Sequence, residues 1–327
     1  MKYLYVLTSD DTDYYLEQAL LSMTSLRLQM SNAHISLLTD TTTEAGLNGK
    51  RSEIRNICNE LISVDVDERF NKTACSRWLK TSMRQHIKGD FLYIDCDTII
   101  AGDLSFLDTI MNMDVGAVFD SHGKLSHKKR RKPFSVFRMQ NLHLKLGFTS
   151  ITNSDIYFNG GVIFCKDCAM GYKFFSEWHR LWLHCFEKGV ATDQQSLNQA
   201  NYNLGNIIIE LDGEWNYQVM AHGSTRYLST AKIIHYFRIS NKKPYLFANQ
   251  DIYKSIKVTG SVSQELKNML AYSKSSFSPD TELRLLNEIT FSFLIRAALY
   301  AVAKRIYNSK FGSAFESVCL FFLSRQK

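Results

Sequence analysis

Short apolar runs, separated by longer stretches of helical period, recur through most of this chain, and that alternation narrows its possible folds more than any other feature. The runs are Tyr3–Leu7 (YLYVL), Ile35–Leu38, Leu61–Val66, Phe91–Ile94, Val115–Phe119, Val162–Cys165, Ile207–Leu211 and Ile233–Tyr236. Several are apolar throughout rather than at every second residue, which is how strands covered on both faces read. Between them the spacing predicts helices near Tyr14–Met30, Glu44–Glu60, Arg77–His86, Tyr172–Glu187 and Asp193–Ala200. This order predicts an α/β fold with a mostly parallel sheet flanked by helices, at least through Phe119.

Two regions break the pattern. Residues Ser121–Ser154 are polar and basic without a clear period and read as a long loop or small insertion, a kind of segment that is commonly functional. After Ser273 the chain turns turn-rich (KSSFSPDTE) and then basic, aromatic and apolar, so a boundary is expected near Ser278–Pro279, separating a 1–278 domain from a 279–327 tail. Net charge is only +7, with Lys128–Lys132 (KKRRK) and the segment from Leu283 onward supplying the excess, so nothing points to nucleic acid. Seven cysteines do not read as a disulfide framework. The five-residue apolar run near the start is too short for a secretory leader, and no stretch reaches a membrane span. A reducing cytoplasm is the expected compartment.

The sharpest chemical feature is Asp95-Cys96-Asp97, directly after the run FLYI. Side chains two apart in extended chain point the same way, so both carboxylates can converge on one cation. Ligands of open α/β sheets bind beyond the carboxyl ends of strands, where this motif falls. Asn159-Gly160-Gly161 allows close backbone approach to a ligand, with an amide able to bond a sugar hydroxyl. Thr192-Asp193-Gln194-Gln195 opens a helix, with Thr192 and Gln195 expected as N-cap and capping-box partner and Asp193 and Gln194 at the helix mouth. His235 ends a strand. A lone histidine in that place is more often structural than a metal ligand. Cys165 and Cys168 read as structural thiols, and Trp178 with Trp182 as helix packing.

In sequence order, YVLTSDD, SRWLK, FLYIDCDTIIAGDL, YFNGGVIF, TDQQSLN and IIHYFR…KKPY resemble glycosyltransferase family 8 over about residues 1–247. The resemblance implies a GT-A fold, a UDP-hexose donor, Mn²⁺ (Mg²⁺ as the alternative) and retention of anomeric configuration. It implies Asp95 and Asp97, flanking Cys96, as metal and donor ligands, with His235 as third metal ligand. Thr8 and Asp10 fall at the uracil pocket, Arg77 and Lys80 at the donor site, and Asp120 at the sugar. Asn159, Gly160 and Gly161 match the donor-contacting Asn-x-Gly, and Asp193 and Gln194 the pair at the reacting sugar, the expected catalytic residues. The end motif departs from the family: Arg238 stands at +3 from His235 where Gly is usual, and Lys243 lies at +8, so Lys243, Lys242 and Arg238 share the expectation of a diphosphate contact.

The expected acceptor is a glycan or glycolipid such as a lipopolysaccharide precursor. His127–Lys132 (HKKRRK) is expected on the acceptor side. The apolar, cation-flanked tail is expected to hold the enzyme on an anionic membrane surface, the cytoplasmic face of the inner membrane. Two other readings stay open at this level. Asp95-Cys96-Asp97-Thr98 also satisfies the D-x-D-x-T pattern of haloacid-dehalogenase-like phosphohydrolases, and a non-catalytic nucleotide-sugar-binding protein could use the same fold.

Overall fold

The computed structural model describes residues 1–105, 113–131, 133–219, 227–241 and 245–277, with six residues of the tail (302, 305, 306, 309, 311 and 314). The chain divides into two units, Met1–Phe277 and Ser278–Lys327. The tail segment expected on a membrane lies almost wholly outside the described residues, as do Lys242 and Lys243. Among the described residues no helix is long and apolar enough to cross a membrane.

The apolar runs become strands β1 (Lys2–Leu7), β2 (His34–Asp40), β3 (Glu60–Val64), β4 (Phe91–Ile94), β6 (Val115–Phe119), β7 (Phe158–Cys165) and β8 (Ile208–Glu210). They form one seven-stranded sheet in the order β3-β2-β1-β4-β7-β6-β8. All neighbours are parallel except β7, which runs antiparallel to both β4 and β6. Every residue of β4, β6 and β7 is buried, as unbroken apolar runs require. A second sheet, not read from sequence, joins β5 (Thr98–Ile100), β10 (Ile233–His235) and β9 (Tyr217–Gln218). Of its strands only β10 was expected, from the run Ile233–Tyr236; β5 and β9, of three and two residues, are too short to show a period.

Helices α1 (Tyr15–Gln29) and α4 (Lys72–His86) match the periodic stretches. The expected helix over Glu44–Glu60 is instead broken into α2 (Thr41–Ala45), a 3₁₀ turn at Gly49–Glu53 and α3 (Ile54–Ile57). Gly49, the first residue of the 3₁₀ turn, takes φ +54, a left-handed value through which a continuous helix cannot run. The expected loop at Ser121–Ser154 is corrected as well. It holds α5 (Leu125–Arg131), α6 (Pro133–Leu146) and α7 (Ser150–Asn153). Its buried stripe is narrow (Val136, His143 and Leu146), while Phe134, Phe137 and Leu144 face solvent, which obscures the period.

Beyond it lie α8 (Ala169–Glu187), α9 (Gln194–Asn203), α10 (Gln250–Thr259) and α11 (Gln264–Leu270). On α8, Trp178 and Trp182 are fully buried in the core against Phe174, Phe175 and Cys185. The six described cysteines are all free; Cys165 is buried in β7, and the Cys168 thiol caps α8.

Candidate active site

The site begins where β4 stops. Ile94 is the last strand residue, and the backbone N–H of Asp95 donates to Gly161 O at 2.8 Å, so the first aspartate is pinned to the antiparallel strand β7. Asp97 leads into β5, whose Thr98 stands opposite His235 of β10. That register carries the imidazole to the aspartates: His235 Nε2 lies 3.2 Å from Asp97 Oδ1 and 4.0 Å from Asp95 Oδ2. One donor atom from each of the three falls within 4.8 Å of the others. Residues 138 positions apart in sequence are brought together by one antiparallel pairing.

The imidazole is oriented from behind. Asn216 Nδ2 donates to Asn159 Oδ1 at 2.9 Å, so Asn216 Oδ1 is left to accept from His235 Nδ1, 3.1 Å away. The ring proton is thereby assigned to Nδ1, and the Nε2 lone pair faces the carboxylates, the arrangement common behind metal-bound histidines. Asn159 Oδ1 also accepts from the Gly161 N–H at 2.9 Å. A Cβ on Gly161 would sit 2.3 Å from His235 Cε1, whereas one on Gly160 would meet nothing closer than 3.4 Å. Gly161 is therefore required by the imidazole, and Gly160 is not. The donor set, its spacing and this support fit a divalent cation with mixed O/N preference.

A second group adjoins the first through Asp95. Lys80, its side chain 4% exposed, lies 3.1 Å from Asp95 Oδ1 and 3.0 Å from Asp193 Oδ2. Arg77, one turn earlier on α4, lies 3.2 Å from Asp193 Oδ1. Burial works against ionisation of Asp193, but the two cations outweigh it and hold its carboxyl low, at about 2. Burial opposes the Lys80 charge too, and Asp193 and Asp95 overcome it, raising its pKa. The Tyr93 hydroxyl also bonds Asp95, and burial with that carboxylate drives its pKa well above normal.

The other expected residues fall as follows. Cys96 turns away from the aspartates, its thiol on Val6 O, and burial first and Asp95 second keep it protonated. Gln194 uses both ends of its amide on β7, accepting from Gly160 N and donating to Phe158 O. Asp193 is the residue preceding α9, with no capping bond from its side chain, and the Thr192 hydroxyl bonds Gln195 Oε1 rather than backbone. The expected capping box is thus not formed, because the helix starts one residue later than expected, with Asp193 rather than Thr192 at the N-cap. Asp120 follows β6 directly and pairs with Lys128, which ties the basic insertion to the end of that strand. Asp10 is exposed, and the Lys72 ammonium bonded to it holds its carboxyl well below the usual range.

A cleft of about 450 Å³ runs from Thr8 and Leu7 past Asp13, Tyr14, Lys72 and Arg77 to Asp95 and Asp97, and is bounded by Phe237 and Arg238. Asp13, Lys72, Asn216 and Phe237 were not singled out from sequence. Phe237 takes the left-handed φ of 68° and lays its ring 4.2 Å from that of His235. The only signal for it was the displaced glycine of the end motif. Asn216 had none, since its role arises from the small sheet.

The family described as Glycosyl transferase family 8 matches residues 89–248. No curated protein matches by sequence. Among solved structures the chain is similar to the bifunctional glycosyltransferase WbbM, at 17% identity and TM-score 0.50 over 84% of this chain and 51% of WbbM. It is also similar to the galactosyltransferase LgtC with donor and acceptor sugar analogs, at 16% identity and TM-score 0.49 over 86% of this chain and 99% of that one. Mouse xyloside xylosyltransferase 1 aligns at 13% identity and TM-score 0.47, over 74% of this chain and 97% of that one. The WbbM likeness speaks to the fold alone: a mixed, mostly parallel sheet flanked by helices, the GT-A fold.

Proposed function

We propose, from the match of residues 89–248 to glycosyl transferase family 8, that the chain is a metal-dependent, retaining hexosyltransferase. It takes glucose or galactose from a UDP-sugar and passes it to a glycan or glycolipid acceptor, a cell-surface polysaccharide or lipopolysaccharide precursor. The observation that carries this reading is the convergence of Asp95, Asp97 and His235 on one point beside the cleft. Held there, a Mn²⁺ ion would neutralise the diphosphate leaving group, whose developing charge is the main barrier to breaking the glycosyl bond.

The chain's own residues divide the remaining work. Arg77 lines the cleft and is about one-third exposed, so its guanidinium can reach diphosphate oxygens while anchored on Asp193. Lys80 is buried and serves Asp193 and Asp95 from below, as a positioning residue. Asp193, held ionised, offers a fixed acceptor to sugar hydroxyls. Gln194 brackets the first turn of α9 to β7 and so fixes the backbone at the reacting face. Thr8, Asp13 and Tyr14 supply the cleft end where a uracil would lie. Lys243 is assigned to the diphosphate on the family pattern alone. The phosphohydrolase reading expects its aspartate after the first strand, whereas Asp95 follows β4.

The basic, apolar tail supports peripheral attachment to an anionic cytoplasmic membrane face. The test of the whole reading is UDP release across a panel of UDP-sugars, with and without acceptors. Release with UDP-glucose or UDP-galactose that needs Mn²⁺ and stops with chelator is expected. Release of inorganic phosphate instead, or tight UDP-sugar binding with no turnover on any acceptor, would overturn it.

A further inference from the structure

Residues 121–154 contain eight Lys and Arg and no Asp or Glu. Lys128 is spent on Asp120, but Lys124, Lys129, Arg130, Arg138 and Lys145 are all exposed. Chains usually mix both signs on a solvated surface, so a run this one-sided makes a local positive field. The same segment carries three large apolar side chains in solvent on α6: Phe134 at 81%, Phe137 at 59% and Leu144 at 61% exposure. Scattered exposed apolar residues need no explanation, but these are not scattered.

At 100° per residue, Phe134, Phe137, Arg138, Asn141, Leu144 and Lys145 fall within an arc of about 120° on α6. Phe137 and Leu144 lie on one side of that arc and Arg138 and Lys145 on the other. The opposite face is spoken for: Val136, His143 and Leu146 are buried, and Met139 packs on Leu125, Ile151 and Tyr157. The outward face therefore pairs two rings and a leucine with a border of cations. That is the composition of a helix lying in the plane of a lipid interface, its apolar residues in the acyl boundary and its cations at anionic headgroups.

We propose that the outer face of α6, with the cations of α5, is a docking surface for an anionic lipid bilayer. Charge complementarity selects the occupant. An anionic glycan in solution would engage the cations and leave Phe134 and Phe137 in water, whereas a neutral apolar partner would have no use for the cations. This site is separate from the tail, and its test does not depend on glycosyl transfer.

The test uses the full chain with phosphatidylcholine vesicles, with and without phosphatidylglycerol. Wild type is expected to sediment with the anionic vesicles at low salt and to be released by high salt. The F134S/F137S/L144S variant should lose at least about tenfold in vesicle affinity. Charge reversal at Lys129, Arg130, Arg138 and Lys145 should lower it about fivefold per cation. A variant with Lys304, Arg305 and Lys310 reversed separates the contribution of the tail. All the substituted insertion residues are exposed, so melting should be unchanged; should the apolar variant misfold, the charge-reversal variant still decides.

Failure of wild type to bind anionic vesicles would overturn the proposal. So would wild-type affinity in both insertion variants, or a loss on charge reversal without one in a folded apolar variant. A dimer in sedimentation velocity that F134S/F137S/L144S dissolves, with vesicle binding intact, would assign the face to a second copy instead.

Discussion

The two halves of the site use the same residue types to opposite ends. On the α4 side, Arg77 and Lys80 answer Asp193, and Lys80 also pairs with Asp95, so the charges are settled by the chain itself. On the small-sheet side, Asp97 faces the His235 imidazole, and among the described residues no Lys or Arg pairs with it. Carboxylates so close to one another repel. The first half is thus an ion cluster whose charges the chain settles itself, and the second leaves Asp97 beside the imidazole with no Lys or Arg paired to it among the described residues.

The widest separation between the halves should come from removing Lys80. Lys80→Met leaves two acids at the buried end of α4 without their shared cation, and breaking such a pair costs about 3–5 kcal/mol. Denaturant unfolding should show that loss. Asp97→Ala should do the reverse: stability held or slightly raised, but turnover down at least a hundredfold, about 2.7 kcal/mol of transition-state stabilisation. If both variants lost stability equally and kept equal activity, the division would be wrong.

Acid sharpens the same contrast. The Asp193 carboxyl is held at about 2 in the folded chain, below its unfolded value, so its ionised form favours folding. That contribution, on the order of 2 kcal/mol, is complete above about pH 4 and is lost as pH falls toward 2. A pH titration of unfolding midpoints should show wild type losing stability through that window and Asp193→Asn losing less. The adjacent glycines give the smallest effects and the cleanest pairing. Gly161→Ala drives a methyl into His235 and should cost about 1–3 kcal/mol with loss of metal affinity. Gly160→Ala meets ordinary contact distances and should shift stability by less than about 0.5 kcal/mol. Equal Mn²⁺ affinities in the two variants would break the assignment of Gly161 to the imidazole.

What could be read from the chain was what local pattern determines. Eight apolar runs gave eight strands, and Asp95 and Asp97 were legible because a strand end fixes their direction without reference to anything distant. His235 could be suspected but not placed, since only the β5–β10 register brings it to Asp97. Asn216 stayed silent for the same reason at one further remove. Local rules also misled. Thr192 and Gln195 had the letters of a capping box, yet the helix starts with Asp193 at its N-cap, one residue out of step with them. The helices of the insertion escaped because their outward rings imitate a buried face.

One consequence of the sheet's single reversed strand concerns how such a protein can be altered. Because β7 runs against its neighbours, it begins at the same edge where β4 and β6 finish, and everything from Asp120 to Tyr157 leaves and re-enters the sheet at that edge. The segment is anchored at its ends by Asp120 N–H on Tyr157 O, like a clasp. A piece of chain closed in that way can be lengthened, shortened or exchanged without shifting strand register, since loop length costs little once its ends are held. The sheet carries the aspartates, while the clasped segment is a module beside it. On the proposed reading, rewriting this one stretch changes what the chain docks against and leaves the aspartates where they stand.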